Sequence, residues 1–145
     1  MTAPVFVDTN VLIYWVDATD PAKQRQASLW MAELWGRRTG RTSFQVLQEF
    51  FVAASRKNPG VQKQLRAEVR HLLAWRPIAV DGAIIDSAWK IQDRYRLSFW
   101  DSLIVAAAKA ASCRWLLTED LQDSQVLDGV TIVNPFLRNP EDLSA

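Results

Sequence analysis

Four acidic residues differ from the other acids of this chain in the company they keep. Asp8 and Asp120 follow the apolar runs Val5-Phe6-Val7 and Trp115-Leu116-Leu117-Thr118, each of which reads as a buried strand ending in a turn. Glu49 is the sole ionisable side chain between Thr42 and Ser55. On a helical wheel it lies beside Val46, Phe50 and Ala53, so the pattern predicts a carboxylate on a helix buried over most of its circumference. That burial costs several kcal/mol unless a cation, a metal or a raised pKa offsets it. Asp101 is the only acid between Asp93 and Glu119, and its helical neighbours Ser98, Ile104 and Val105 offer it no cation.

Each of these acids has an ordinary explanation when taken singly. Asp8 suits a turn or helix cap, Glu49 a narrow wet face, and Asp101 the first turn of a helix opened by Ser98 as a capping box. Capping alone does not account for the set. Carboxylates that converge without a basic partner repel one another, and a divalent cation relieves that repulsion. Ligation by oxygen alone selects a hard ion, Mg²⁺ or Mn²⁺. Such an ion is suited to hydrolysing phosphodiesters, because it activates water and stabilises the leaving oxygen.

Other chemistries lack their residues. His71 is the only histidine, on a stretch whose Leu65, Val69, Leu72 and Leu73 make the apolar stripe of a helix, so a two-histidine nuclease is excluded. With Cys113 as the single cysteine there is no set of zinc ligands and no intrachain disulfide. The glycines at 36, 40, 60, 82 and 129 fit neither a phosphate-binding loop nor a dinucleotide fingerprint.

The elements that must position the acids follow from the same pattern. Asp8-Thr9-Asn10 turns the first strand into a helix over Val11 to Val16, with Asn10 as its expected cap. Asp20-Pro21 opens a helix to about Trp35, Arg41 to Ser43 is a short strand or turn, and Phe44 to Arg56 is helical. Further helices are expected over Gln62–Trp75, Asp81–Tyr95 and Ser98 to about Ala111. Strands are expected at Pro77–Val80, Trp115–Thr118 and Val130–Val133. Strands separated by helices imply an α/β domain with a mostly parallel sheet.

The 145 residues suit a single domain, 1–145, and 49% apolar content is enough to form a core. A net charge of +1 excludes a general polycation. Setting the four acids aside leaves seventeen cations against twelve acids, so local polyanion binding is open, with Arg37, Arg38 and Arg41 as one cluster and Arg94 and Arg96 as another. Most of the seven tryptophans are expected in the core or at protein interfaces. No signal peptide or membrane span is read, so a cytoplasmic protein is expected.

Four segments in order, Phe6-Val7-Asp8-Thr9-Asn10-Val11-Leu12, Ser43 with Glu49-Phe50, Trp100-Asp101-Ser102-Leu103-Ile104-Val105-Ala106-Ala107-Ala108, and Leu117-Thr118-Glu119-Asp120-Leu121, resemble the PIN-domain ribonucleases, and most of all the VapC-type toxins of toxin–antitoxin pairs. The resemblance implies a three-layer α/β/α fold and Mg²⁺- or Mn²⁺-dependent cleavage of RNA that leaves a 5′-phosphate and a 3′-hydroxyl. It also implies an antitoxin that blocks the site and a toxin that forms a homodimer. Carried over, Asp8, Glu49, Asp101 and Asp120 are the catalytic and metal-holding acids, with Thr9, Asn10 and Thr118 supporting them. Glu119, Asp120 and Asp123 compete for the fourth position, and the family's Thr-x-acid spacing favours Asp120.

Two other readings share the fold, a PIN nuclease of RNA processing and a catalytically silent binding module; four intact acids weigh against the second. A haloacid-dehalogenase-like phosphatase needs Asp-x-Asp after the first strand, where this chain has Asn10.

Overall fold

The computed structural model describes residues 3–143. Strand β1 (Val5–Val7) is wholly buried, and it passes through Asp8 into α1 (Thr9–Val16). Helix α2 (Pro21–Arg37) starts as expected, with Asp20 accepting the Lys23 amide and proline at the first helical position. It leads to the two-residue β2 (Gly40–Arg41). Four helices follow: α3 (Phe44–Lys57), α4 (Gln62–Leu72), α5 (Gly82–Tyr95) and α6 (Phe99–Ala110). Strands β3 (Trp115–Leu117), β4 (Val126–Leu127) and β5 (Val130–Val133) complete the sheet.

The strand order is β2-β1-β3-β5-β4, parallel except for β4 against β5. Helices cover both faces, giving the expected α/β/α sandwich. The core is built from Phe6, Leu12, Trp30, Phe50, Leu116 and Ile132, all fully buried, together with the small-residue face of α6. From β1 the chain leaves toward β2, whereas from β3 it leaves toward β5. The carboxyl ends of β1 and β3 therefore flank the switch point of an open α/β sheet, where a ligand crevice forms. Among the described residues no helix is long and apolar enough to cross a membrane.

The structure corrects the sequence reading at four places. Asp8, not Asn10, caps α1: its Oδ1 accepts the Thr9 amide at 2.7 Å, so the helix starts two residues earlier. Pro77–Val80 forms no strand; only Ile78 bridges Ser43. The helix expected to reach Trp75 tightens to a 3₁₀ turn over Leu73–Trp75. Strand β4 was not expected, and it is joined to β5 through Asp128-Gly129, both at positive φ (52° and 86°).

Three tryptophans, Trp30, Trp75 and Trp115, are core residues, whereas Trp89 and Trp100 are more than half exposed (53% and 63%).

Candidate active site

Asp8 ends β1 at the point where the backbone changes from ladder to helix. Its amide still continues the ladder by donating to Leu117 O at 3.1 Å, which fixes the residue against β3. Its side chain is buried and accepts bonds on both oxygens. Oδ1 takes the Thr9 amide, and Oδ2 takes the Thr118 hydroxyl at 2.9 Å and Asn10 Nδ2 at 3.4 Å.

Thr118 stands one residue past β3 and is fully buried, its own amide tied to Val133 O at 3.0 Å. Its hydroxyl donates to Asp8 while accepting from Asn10 Nδ2 (3.0 Å) and from the Asp120 amide (3.1 Å). Both lone pairs and the proton are thereby used. Asn10 shares its two amide hydrogens among Asp8, Thr118 and Asp120 Oδ2, the last at 3.0 Å, and its Oδ1 accepts the Glu119 amide at 3.3 Å. The expected helix cap is instead a tether between the two strand ends.

Glu49 joins this group from α3. Its Oε2 accepts the Thr9 hydroxyl at 3.1 Å and its Oε1 accepts Gln45 Nε2 at 3.1 Å. Contrary to expectation, Glu49 is exposed: α3 turns Val46, Leu47, Phe50 and Ala54 to the core, and Glu49 lies just outside that buried stripe, exposed like Gln48 and Val52. What singles it out is its link to Thr9.

Asp101 is half-buried in the first turn of α6, its amide capped by Ser98 Oγ at 3.1 Å. The returning bond of the expected capping box is not made; among the described residues the Asp101 carboxylate has no hydrogen-bond or ion-pair partner. The structure thus brings Asp8, Glu49 and Asp120 into one network with Thr9, Asn10 and Thr118, and leaves Asp101 outside it.

The other two acids of the last segment are engaged elsewhere. Glu119 pairs with Lys23 at 2.7 Å, and that ammonium also lies over the Tyr14 and Phe136 rings at 4.5 and 4.9 Å. Asp123 pairs with Arg138 at 2.8 to 3.0 Å and accepts the Asn134 amide, and the guanidinium holds its carboxyl below the usual range. Asp120 alone of the three keeps an exposed carboxylate without a cation among the described residues. Lys23 and Arg138, which decide this, escaped the sequence reading, and no local pattern marks pairs separated by 96 and 15 residues.

Burial pushes the Asp8 carboxyl up to about 6; the Thr9 and Thr118 hydrogen bonds pull it down, and the charges of Asp120 and Glu49 raise it again. Among the described residues no Lys, Arg or His pairs with Asp8, Glu49, Asp101 or Asp120. Nor do three or more His, Cys, Asp or Glu side chains stand close enough there to make a ready-built cage for a metal ion. The donors nonetheless fit a hard divalent ion in kind: oxygen only, mutually repelling, and short of positive charge.

The family model for the PIN domain matches residues 5–126. Among solved structures, the chain is similar to a toxin–antitoxin complex from Klebsiella pneumoniae, with a TM-score of 0.64 at 20% identity over 90% of this chain and 97% of that one. It is also similar to VapC20 of Mycobacterium tuberculosis, described as a sarcin–ricin loop cleaving toxin, with a TM-score of 0.60 at 22% identity over 77% of this chain and 86% of that one. No curated protein matches the sequence significantly.

Proposed function

This chain belongs to the PIN-domain family, and from that premise we propose that it is an Mg²⁺- or Mn²⁺-dependent endoribonuclease acting as the VapC-type toxin of an antitoxin-controlled pair. One observation carries the reading: a buried carboxyl, Asp8, is raised to about 6 and faces two further acids, Glu49 and Asp120, with no paired cation among the described residues. The family and the VapC20-like fold add the RNA substrate, and the fold shared with the Klebsiella pneumoniae complex adds an antitoxin partner. A homodimer is part of the same reading.

Asp8, Glu49, Asp101 and Asp120 would hold the ion, which when bound supplies activation of water and charge stabilisation at the scissile phosphate. The remaining work falls to the protein. Thr118 and the Thr9 amide fix the orientation of Asp8. The Thr9 hydroxyl holds Glu49, and Asn10 holds Asp120 near Asp8 against their repulsion. Lys23 neutralises Glu119 and so removes a competing charge from the crevice. Glu49 and Asp120 lie open to solvent, which lets a polynucleotide strand reach the group.

Cleavage of a labelled structured RNA should require added metal, run with Mn²⁺ at least as well as with Mg²⁺, and stop in excess EDTA. Undiminished cleavage in EDTA overturns the reading.

A further inference from the structure

At the other end of the sheet lies a cleft of about 680 Å³ that the acid group does not share. Gly40 and Arg41 pair with Val5 and Phe6, so β2 presents its start at the amino end of the sheet, whereas the acids begin after Val7. The side chains that matter in this cleft are Trp35, Arg38, Arg41, Trp75 and Arg76. No acidic residue lines it, and none of the three arginines is in an ion pair among the described residues.

Arg38 ends α2 and Arg76 ends the 3₁₀ turn at Leu73–Trp75, and helix-end carbonyls favour cations there. Those partial charges do not neutralise three guanidinium groups. Arg41 spends one nitrogen on Arg38 O and Gly40 O, at 3.2 and 2.8 Å, which holds its side chain along the cleft wall. Trp75 is 5% exposed and closes the floor of the cleft, whereas Trp35 is partly exposed, so the accessible donors are the arginine side chains and no acidic acceptor stands among them. The adjoining depression beyond Trp35 and Ala74 carries one acid, Glu68, beside Arg70 and His71.

We propose that this arginine–tryptophan cleft is a second RNA contact, taking backbone phosphates remote from the acid group. Its ligand identity rests on the RNA reading above, but its operation is independent of cleavage. The catalytic end is acidic and repels a polyanion until metal arrives. Affinity for metal-free RNA then comes from another part of the surface, and planar guanidinium forks suit backbone phosphates, with the partly exposed Trp35 ring beside them. An acidic protein segment would use the same charges, and the test separates it from RNA.

The full chain is titrated in EDTA with a fluorescein-labelled RNA hairpin, and separately with inorganic phosphate and with polyglutamate, while the seven indole N–H resonances are followed by ¹⁵N NMR. RNA should bind and shift the Trp35 and Trp75 signals but not that of Trp89, on α5. Inorganic phosphate should shift the same two more weakly. The triple variant R38Q/R41Q/R76Q should weaken RNA binding at least about tenfold and lower the slope of log affinity against log salt by roughly 2, whereas R66A on α4 should change neither.

The single variants R38Q and R76Q serve as the test if the triple variant does not fold, each lowering the slope by roughly 1, whereas a triple lysine variant, which keeps the charge, should retain it. RNA binding unchanged in the glutamine variants, or polyglutamate binding as tightly as RNA, overturns the proposal. No RNA binding in EDTA also overturns it, yet leaves Mn²⁺-dependent cleavage standing. Binding in EDTA without cleavage in Mn²⁺ would sink the nuclease reading and spare the cleft.

Discussion

Asp101 is the residue at which local structure and chemistry part most cleanly. Its backbone amide does the capping work with Ser98, so its carboxylate is not needed to hold α6 in place. Asp101→Asn should therefore leave the thermal unfolding midpoint within a few degrees of the parent while reducing cleavage roughly 100-fold or more. A small loss of stability with full activity would return Asp101 to the role of a helix-end acid. Among the three acids after β3, the ion pairs rank the expected losses. Asp120→Ala should reduce turnover most, because Asn10 aims it at Asp8 and no cation claims it. Asp123→Ala should cost less, through the loop it ties to Arg138, and Glu119→Ala least. Initial rates on one RNA at saturating Mn²⁺ give the order, and a larger loss for Glu119→Ala would reassign the fourth acid.

At the level of elements, the contact between the 3₁₀ turn and the sheet edge has little room. A Cβ on Gly40 would fall 2.4 to 2.6 Å from the Trp75 ring, so Gly40→Ala should cost on the order of 1–3 kcal/mol in chemical denaturation. Helix starts were legible in sequence because Asp20, Ser43, Asp81 and Ser98 are side chains that accept a bond from the amide three residues on. The Asp128-Gly129 pair carried a hairpin signal as strong, but the two-residue strand before it is too short to show alternation. Pro77–Val80 has strand-like composition, yet it lies beside the loop after β2 and finds only one bridge. The acids of the site could be read because each breaks an apolar context. Thr9, Asn10 and Thr118 entered as supporting residues only through the family resemblance, since Asn10 by its own pattern reads as a cap, and Lys23 is one cation among many until the chain folds.

For the whole molecule, the acid group makes metal-free stability depend on pH in an unusual sense. The Asp8 carboxyl titrates near 6 when folded, against an ordinary value of 3.8. The folded chain therefore holds more protons than the unfolded chain between these values, and stability falls as pH rises through that window. A shift of this size corresponds to about 3 kcal/mol at most. Asp17 and Asp123, both lowered by cationic partners, act the other way and lose their contribution as pH falls below the ordinary carboxylate range. Urea unfolding in EDTA should show the protein less stable at pH 7 than at pH 4.5, with the fall abolished in Asp8→Ala; a parent that gains stability over this interval contradicts the assignment. The sheet that carries these acids is bounded by β2 and β4, each only two residues long. Outer strands so short give a neighbouring molecule hardly any free ladder to extend. Stacking edge to edge into fibrils therefore has little template to start from on either side of the sheet.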